Sequence, residues 1–176
     1  MSEQERDKAG ACGPPAEEER GAAETVSLVV FRLGAQWLAL STQVVREVTQ
    51  VCTIRSIPQR NAEVLLGLLN LRGELQLCVS LKGLLGLNGE YGRAPGESQP
   101  RTARLVVIEK EDDCWVFPAD EVLGVFHFAP SKIQQLPTTP TEGAVLTFKG
   151  RGYWQEKQVS YLDETVLFDT LKRRIS

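Results

Sequence analysis

The run VLLGLLNLRGELQLCVSL, residues 64–81, decides how this chain folds. From Leu69 to Leu81 its residues alternate. Leu69, Leu71, Leu75, Leu77, Val79 and Leu81 fall on one face of an extended chain; Asn70, Arg72, Glu74, Gln76, Cys78 and Ser80 fall on the other. That is long for one strand, so Gly73 is expected to bend it or divide it in two. Arg72 sits inside this apolar run. A guanidinium is costly to bury alone, so it belongs on the polar face and at least partly in solvent. Two readings stand open: an ion pair across strands with Glu74 or Glu47, or a planar donor fork offered to a partner.

Working outward, the run belongs to a unit that occurs twice. Leu28-Val29-Val30-Phe31 matches Leu105-Val106-Val107-Ile108, and Trp37 matches Trp115 after one inserted residue. Ser41-Thr42-Gln43-Val44 matches Ala119-Asp120-Glu121-Val122, Ile57-Pro58 matches Leu136-Pro137, and Leu71-Arg72-Gly73 matches Phe148-Lys149-Gly150, at offsets of 77–79. A duplication of this size implies two similar subdomains about a pseudo-twofold axis. Each half opens with two apolar strands around a polar turn, LGAQ in the first and EKEDD in the second. A short helix is expected after each hairpin, capped by Ser41 over Val44, Val45 and Val48 and by Asp120 over Val122, Leu123 and Phe126. More strands follow. The chain ends in a helix over 163–175, with Asp163 as cap, Glu164 in the first turn and Lys172, Arg173 and Arg174 in the last. The fold class is mainly β, with short helices and a C-terminal helix.

Residues 1–24 hold seven acids, three bases and little apolar surface, and are expected to form a disordered acidic tail. The Gly- and Pro-rich stretch 88–103 reads as a loop between a first half, about 25–87, and a second, about 104–162. The remaining 25–176 carries sixteen acids against seventeen bases. Near-neutrality argues against non-specific nucleic-acid binding, which needs a basic excess. There is no apolar leader and no run long enough for a membrane helix, so a cytoplasmic location is expected. The four cysteines are widely spaced, away from the single histidine, and read as free thiols without metal.

No catalytic constellation emerges. His127 lies between aromatics and reads as a packed strand residue. Asp112 and Asp113 belong to a turn, Asp163 and Glu164 to a helix start. No phosphate-binding or nucleophile motif is present. One nucleic-acid alternative remains, a small β-barrel using Tyr153 and Trp154 among Lys149, Arg151 and Lys157.

The stretches LVVFRLGAQWLALSTQVVREV and IPQRNAEVLLGLLNLRGELQLCVSLKGLLGL resemble the CheW-like adaptors of bacterial chemosensory systems, above all in Gly67-Leu68-Leu69-Asn70-Leu71-Arg72-Gly73-Glu74. The resemblance runs from about Thr25 to Ile175. It implies two five-stranded SH3-like β-barrels, no catalysis and no cofactor. It also implies a scaffold bridging a CheA-type histidine kinase to chemoreceptor tips, recruited to membrane receptor clusters. The implied receptor groove is formed by Val45, Glu47, Val48, Gly67, Asn70, Arg72, Val122 and Val125, a mixture of apolar floor and charged rim suited to a docked helix. Where the family often reads Pro-Val-Val-Asp-Leu, this chain has Leu77-Cys78-Val79-Ser80-Leu81. That departure points to a divergent member, serving an alternative pathway such as surface sensing or pilus control.

Overall fold

A computed structural model describes residues 24–58, 63–87, 100–136 and 148–176. The acidic tail, apart from Glu24, and most of the 88–103 loop lie outside them. The strands are β1 (Val26–Leu33), β2 (Gln36–Ser41), β3 (Val45–Gln50), β4 (Leu65–Leu71), β5 (Glu74–Val79), β6 (Arg104–Lys110), β7 (Asp113–Ala119), β8 (Glu121–Phe128), β9 (Gln134–Gln135), β10 (Phe148–Trp154) and β11 (Lys157–Leu162). Helix α1 spans Leu81–Leu84 and α2 spans Glu164–Ile175. Two sheets result, ordered β8-β1-β2-β11-β10-β9 and β3-β6-β7-β5-β4. This is the mainly β, SH3-like architecture expected, although neither ladder of strands closes on itself.

Both sheets draw on both sequence halves. The first contains β1, β2 and everything from β8 onward; the second is the unbroken middle of the chain, β3 to β7. The exchange is reciprocal: β1 pairs with β8 as β6 pairs with β3, and β2 runs parallel to β11 as β7 does to β5. Reciprocal pairing of equivalent elements is the signature of a twofold relation. The described strands on either side of 88–103, β5 and β6, both belong to the second sheet.

Register also corrects the alignment of the repeat. Both first hairpins turn on two residues, between Leu33 and Gln36 and between Lys110 and Asp113, so no residue is inserted and Trp37 stands opposite Cys114 in the comparison, not Trp115. The second hairpins turn at Arg72-Gly73 and at Gln155-Glu156. Arg72 thus corresponds to Gln155. Lys149-Gly150 corresponds instead to Leu66-Gly67, at matching register shifts that begin β10 and β4.

The expected helices after Ser41 and Asp120 are strands β3 and β8. The valines that gave a helical spacing are β-branched and favour extended backbone once a neighbouring strand offers hydrogen bonds. Ser41 still makes a turn, its Oγ accepting from Gln43 N at 3.2 Å and its carbonyl from Val44 N at 3.1 Å. Ser80 stands where the resemblance leads one to expect aspartate. It caps α1, its Oγ accepting from Gly83 N at 3.0 Å. Asp163 caps α2 as expected, receiving Thr165 N and Val166 N at 3.0 and 3.2 Å.

Three apolar clusters hold the molecule together. One lies within the first sheet's curl (Leu28, Val30, Ala39, Phe128, Val159) and one within the second's (Leu69, Cys78, Leu105, Val107, Val116). The largest lies between the sheets, where Phe31 meets Phe117 at 5.2 Å between ring centres and α2 adds Leu167, Phe168 and Leu171. Strands such as β1 bury both faces, which is why they read as unbroken apolar runs.

Candidate functional site

The loop at Arg72-Gly73 organises the site. Leu71 pairs with Glu74, leaving a two-residue turn with φ of +53° at Arg72 and +90° at Gly73. Positive φ at both positions marks the hairpin turn whose twist matches its strands. The Asn70 side chain secures it, Oδ1 accepting from Gly73 N at 2.8 Å. Gly73 therefore divides the run, as expected. A two-residue turn, however, pairs odd-numbered residues with even ones, so the single alternation cannot continue through it. Asn70 faces Leu75, and Gly67 faces Cys78. Two assignments reverse: Cys78 is fully buried, and Leu75 is 69% exposed beside Asn70. Sequence reasoning set Leu75 on the face opposite Asn70; counting the turn as two residues would have placed the two side by side.

Arg72 projects from the turn with its side chain 81% exposed, and its Nη2 lies 3.1 Å from Glu47 Oε2. One of the anticipated partners is present. Glu47 comes from β3, at the far edge of the same sheet from β4, so the pair spans the mouth of an incompletely closed barrel. In the other sheet, Phe126 and Trp154 close the corresponding gap at 4.8 Å.

The valines form symmetric pairs. Val45 stands against Ile108 and Val122 against Phe31; after a register shift in each strand, Val48 stands against Val106 and Val125 against Val29. Val45 and Val122 both pack on the inter-sheet core. Val48 and Val125 are 40% and 54% exposed, one on each free sheet edge. Gly67 differs from the other predicted residues. It is buried at φ +148°, and a Cβ there would lie 2.1 Å from the Arg55 carbonyl oxygen. Arg55 and Leu68 exchange two backbone hydrogen bonds at 2.7 and 2.8 Å, which bring that carbonyl in. Gly150 is the counterpart, with Ile133 and Gln134 filling its Cβ space. Beside Asn70 and Leu75, a cleft of about 600 Å³ is lined by Cys52, Ile57, Pro58 and Leu68 among others.

The basic segment of the second half is tied inward. Lys149 Nζ is 3.0 Å from Glu164 Oε2; burial pulls its ammonium down, but the Glu164 hydrogen bond and charge outweigh that and raise it. Lys157 lies over the rings of Trp37 and Trp154 at 5.5 and 5.2 Å. Tyr153 is exposed. His127 is exposed rather than packed, its Nδ1 2.8 Å from Ser27 Oγ. Among the described residues no group of His, Cys, Asp and Glu could hold a metal, and no helix is long and apolar enough to cross a membrane.

The model of the CheW-like domain matches residues 27–171. The chain belongs to the CheW-like family. A solved member of similar fold is the scaffolding protein TtCheW from Thermoanaerobacter tengcongensis, 21% identical, covering 80% of this chain and 90% of that one with a TM-score of 0.64. No curated protein sequence matches this CheW-like chain. The Asn70-Leu71-Arg72-Gly73 motif that carried the resemblance is thus the hairpin turn of a CheW-like barrel.

Proposed function

We propose that this CheW-like chain is a non-catalytic adaptor that couples chemoreceptor signalling tips to a CheA-type histidine kinase in a bacterial chemosensory pathway, at membrane receptor clusters. The observation that carries the proposal is the exposed set formed by Arg72, Asn70 and Leu75 at one hairpin turn, with Val48 and Val125 on equivalent sheet edges. A receptor tip presents helices. An amphipathic helix is held by apolar contacts on its buried side, and rim charges fix its register. The Arg72–Glu47 pair supplies such a rim: Arg72 retains donors directed at solvent while Glu47 steadies it. Gly67 serves the groove indirectly, by admitting the Arg55 carbonyl that shapes the neighbouring backbone. A receptor and a kinase tethered to one rigid body share a high effective concentration, which is how a scaffold acts without chemistry. Co-precipitation with a receptor signalling tip and with a CheA-type kinase is the test. Capture of both is expected; capture of neither sinks the proposal.

A further inference from the structure

The two sheets differ at the end where the chain enters each first hairpin. By strand register Val26 stands for Ala103, and Glu24 and Thr25 stand for Arg101 and Thr102. In the second sheet the entering chain is laid against the body. Ala103 N donates to the Pro100 carbonyl at 2.9 Å, Thr102 Oγ1 donates to the Asp120 carbonyl at 2.7 Å, and Ala103 is buried. In the first sheet Val26 is only half-buried, and Glu24 and Thr25 are exposed. Beside Val26 a cavity of about 420 Å³ stands open, lined by Pro130, Ile133, Leu136, Lys149 and Tyr161 among others.

The charges differ as well. β10 carries Lys149 and Arg151 where β4 carries Leu66 and Leu68. Lys132 runs alongside: its carbonyl would lie 3.6 Å from a Cβ on Gly152, and Gln134 pairs with Arg151. Lys149 is matched by Glu164. Lys132 and Arg151 have no carboxylate partner among the described residues, and Arg151 Nε is buried there without a hydrogen bond. Two unmatched cations therefore sit at this end of the first sheet. The segment that enters it is acidic, with seven acids against three bases in residues 1–24 and the run Glu17-Glu18-Glu19 close to β1. The chain from Glu19 to Val26 reaches about 23 Å when extended. Neighbouring strands are only about 4.8 Å apart, so the run can reach both cations.

We propose that the acidic tail docks on its own chain at this end, with Glu17–Glu19 on Lys132 and Arg151, and Ala22 and Ala23 over the cavity beside Val26. The tail takes for the first sheet the part that Pro100–Thr102 take for the second. A tethered segment needs only weak contacts, because its effective concentration at the site is high. Once docked, it keeps this cationic face from acidic partners. Nothing in this docking depends on the receptor groove.

The test uses the full chain, ¹⁵N-labelled, beside the triple variant Glu17→Gln, Glu18→Gln, Glu19→Gln, which leaves the folded part unchanged. At about 0.1 M salt the amides of Lys132, Gln134, Arg151 and Gly152 should differ between the two proteins, and those of the Arg72 turn should coincide. Raising the salt to about 1 M shortens the screening length from about 10 Å to about 3 Å. The four amides of the parent should then move to the positions of the variant, whose own should hardly move. Lys132→Glu, read from the other end, should shift the Glu17–Glu19 amides of the parent as salt does. Coincident spectra of parent and triple variant at the lower salt, or a difference that persists at the higher, overturns the proposal. A difference that grows with protein concentration marks the tail of a second copy and overturns docking within the chain.

Discussion

Gly67→Ala separates the groove's shape from its contacts. The substitution meets two obstacles. Its φ of +148° is one that L-residues rarely adopt, a strain on the order of 1–3 kcal/mol. Its Cβ would also fall 2.1 Å from a backbone oxygen, which cannot swing aside as a side-chain end would. Relief requires Arg55 to withdraw and breaks the two hydrogen bonds it shares with Leu68, each worth about 1 kcal/mol. The expected loss is therefore about 3–5 kcal/mol, a large share of the ~5–15 kcal/mol that typically holds a domain. Urea unfolding followed by tryptophan fluorescence measures it as a fall in midpoint at constant slope. Gly73→Ala is the control: φ is +90°, but nothing lies within 4 Å of a Cβ there, so only backbone strain of about 1–2 kcal/mol remains. If Gly67→Ala costs no more than Gly73→Ala, the close approach of Arg55 is not what requires glycine at this position.

Arg72→Ala should change unfolding free energy by no more than ~1 kcal/mol, since its ion pair is exposed, yet weaken binding of a receptor tip in a titration; a large stability loss would make Arg72 structural. Asp120→Asn should cost about 2 kcal/mol at neutral pH through its charged hydrogen bonds. Burial alone would raise the Asp120 carboxyl, but hydrogen bonds from Lys82 and Gly34, with the Lys82 and Arg32 charges, hold it below its ordinary 3.8. Its contribution is thus present above that value and lost as pH falls through the lower folded pKa, so denaturation curves of the variant and parent should converge in acid. Burial pushes the Cys78 thiol up to about 12. Native protein should therefore resist iodoacetamide at Cys78 at pH 8, and label there only on unfolding, as read by peptide mass.

Local chemistry was legible where a residue acts on its neighbours. The cap at Asp163, the polar turns of the first hairpins and the division at Gly73 depend on a few adjacent positions, and each appears as expected. Assignments that depended on the partner strand were not legible. Val44, Val45 and Val48 satisfy a helical spacing in isolation, but the open edge of β6 draws Val45 and Val48 into a strand and leaves Val44 in the turn before it. Leu75 and Cys78 changed places because alternation is a property of one strand, while a turn of two residues exchanges parity across a hairpin. The repeat was visible from its apolar strands. The reciprocal exchange of those strands was not, since a strand's sequence does not say which half supplies its neighbour. At the candidate site, Arg72's exposure followed from the cost of burying charge. Gly67's role followed from a carbonyl contributed by Arg55, whose approach no local pattern announces.

The interleaving of the sheets also orders events during synthesis. The sheet built from Val45–Ala119 is complete once its own continuous segment has emerged from the ribosome. The other begins first and finishes last: the β1–β2 hairpin must wait for β8 and then β11 before its edges are covered. Until then an apolar hairpin with two open edges is held beside a nearly finished barrel, the kind of surface that invites wrong pairing. Substitutions in β1 and β2 should therefore reduce yield out of proportion to their effect on the finished protein, whereas substitutions of equal thermodynamic cost in β6 and β7 should not.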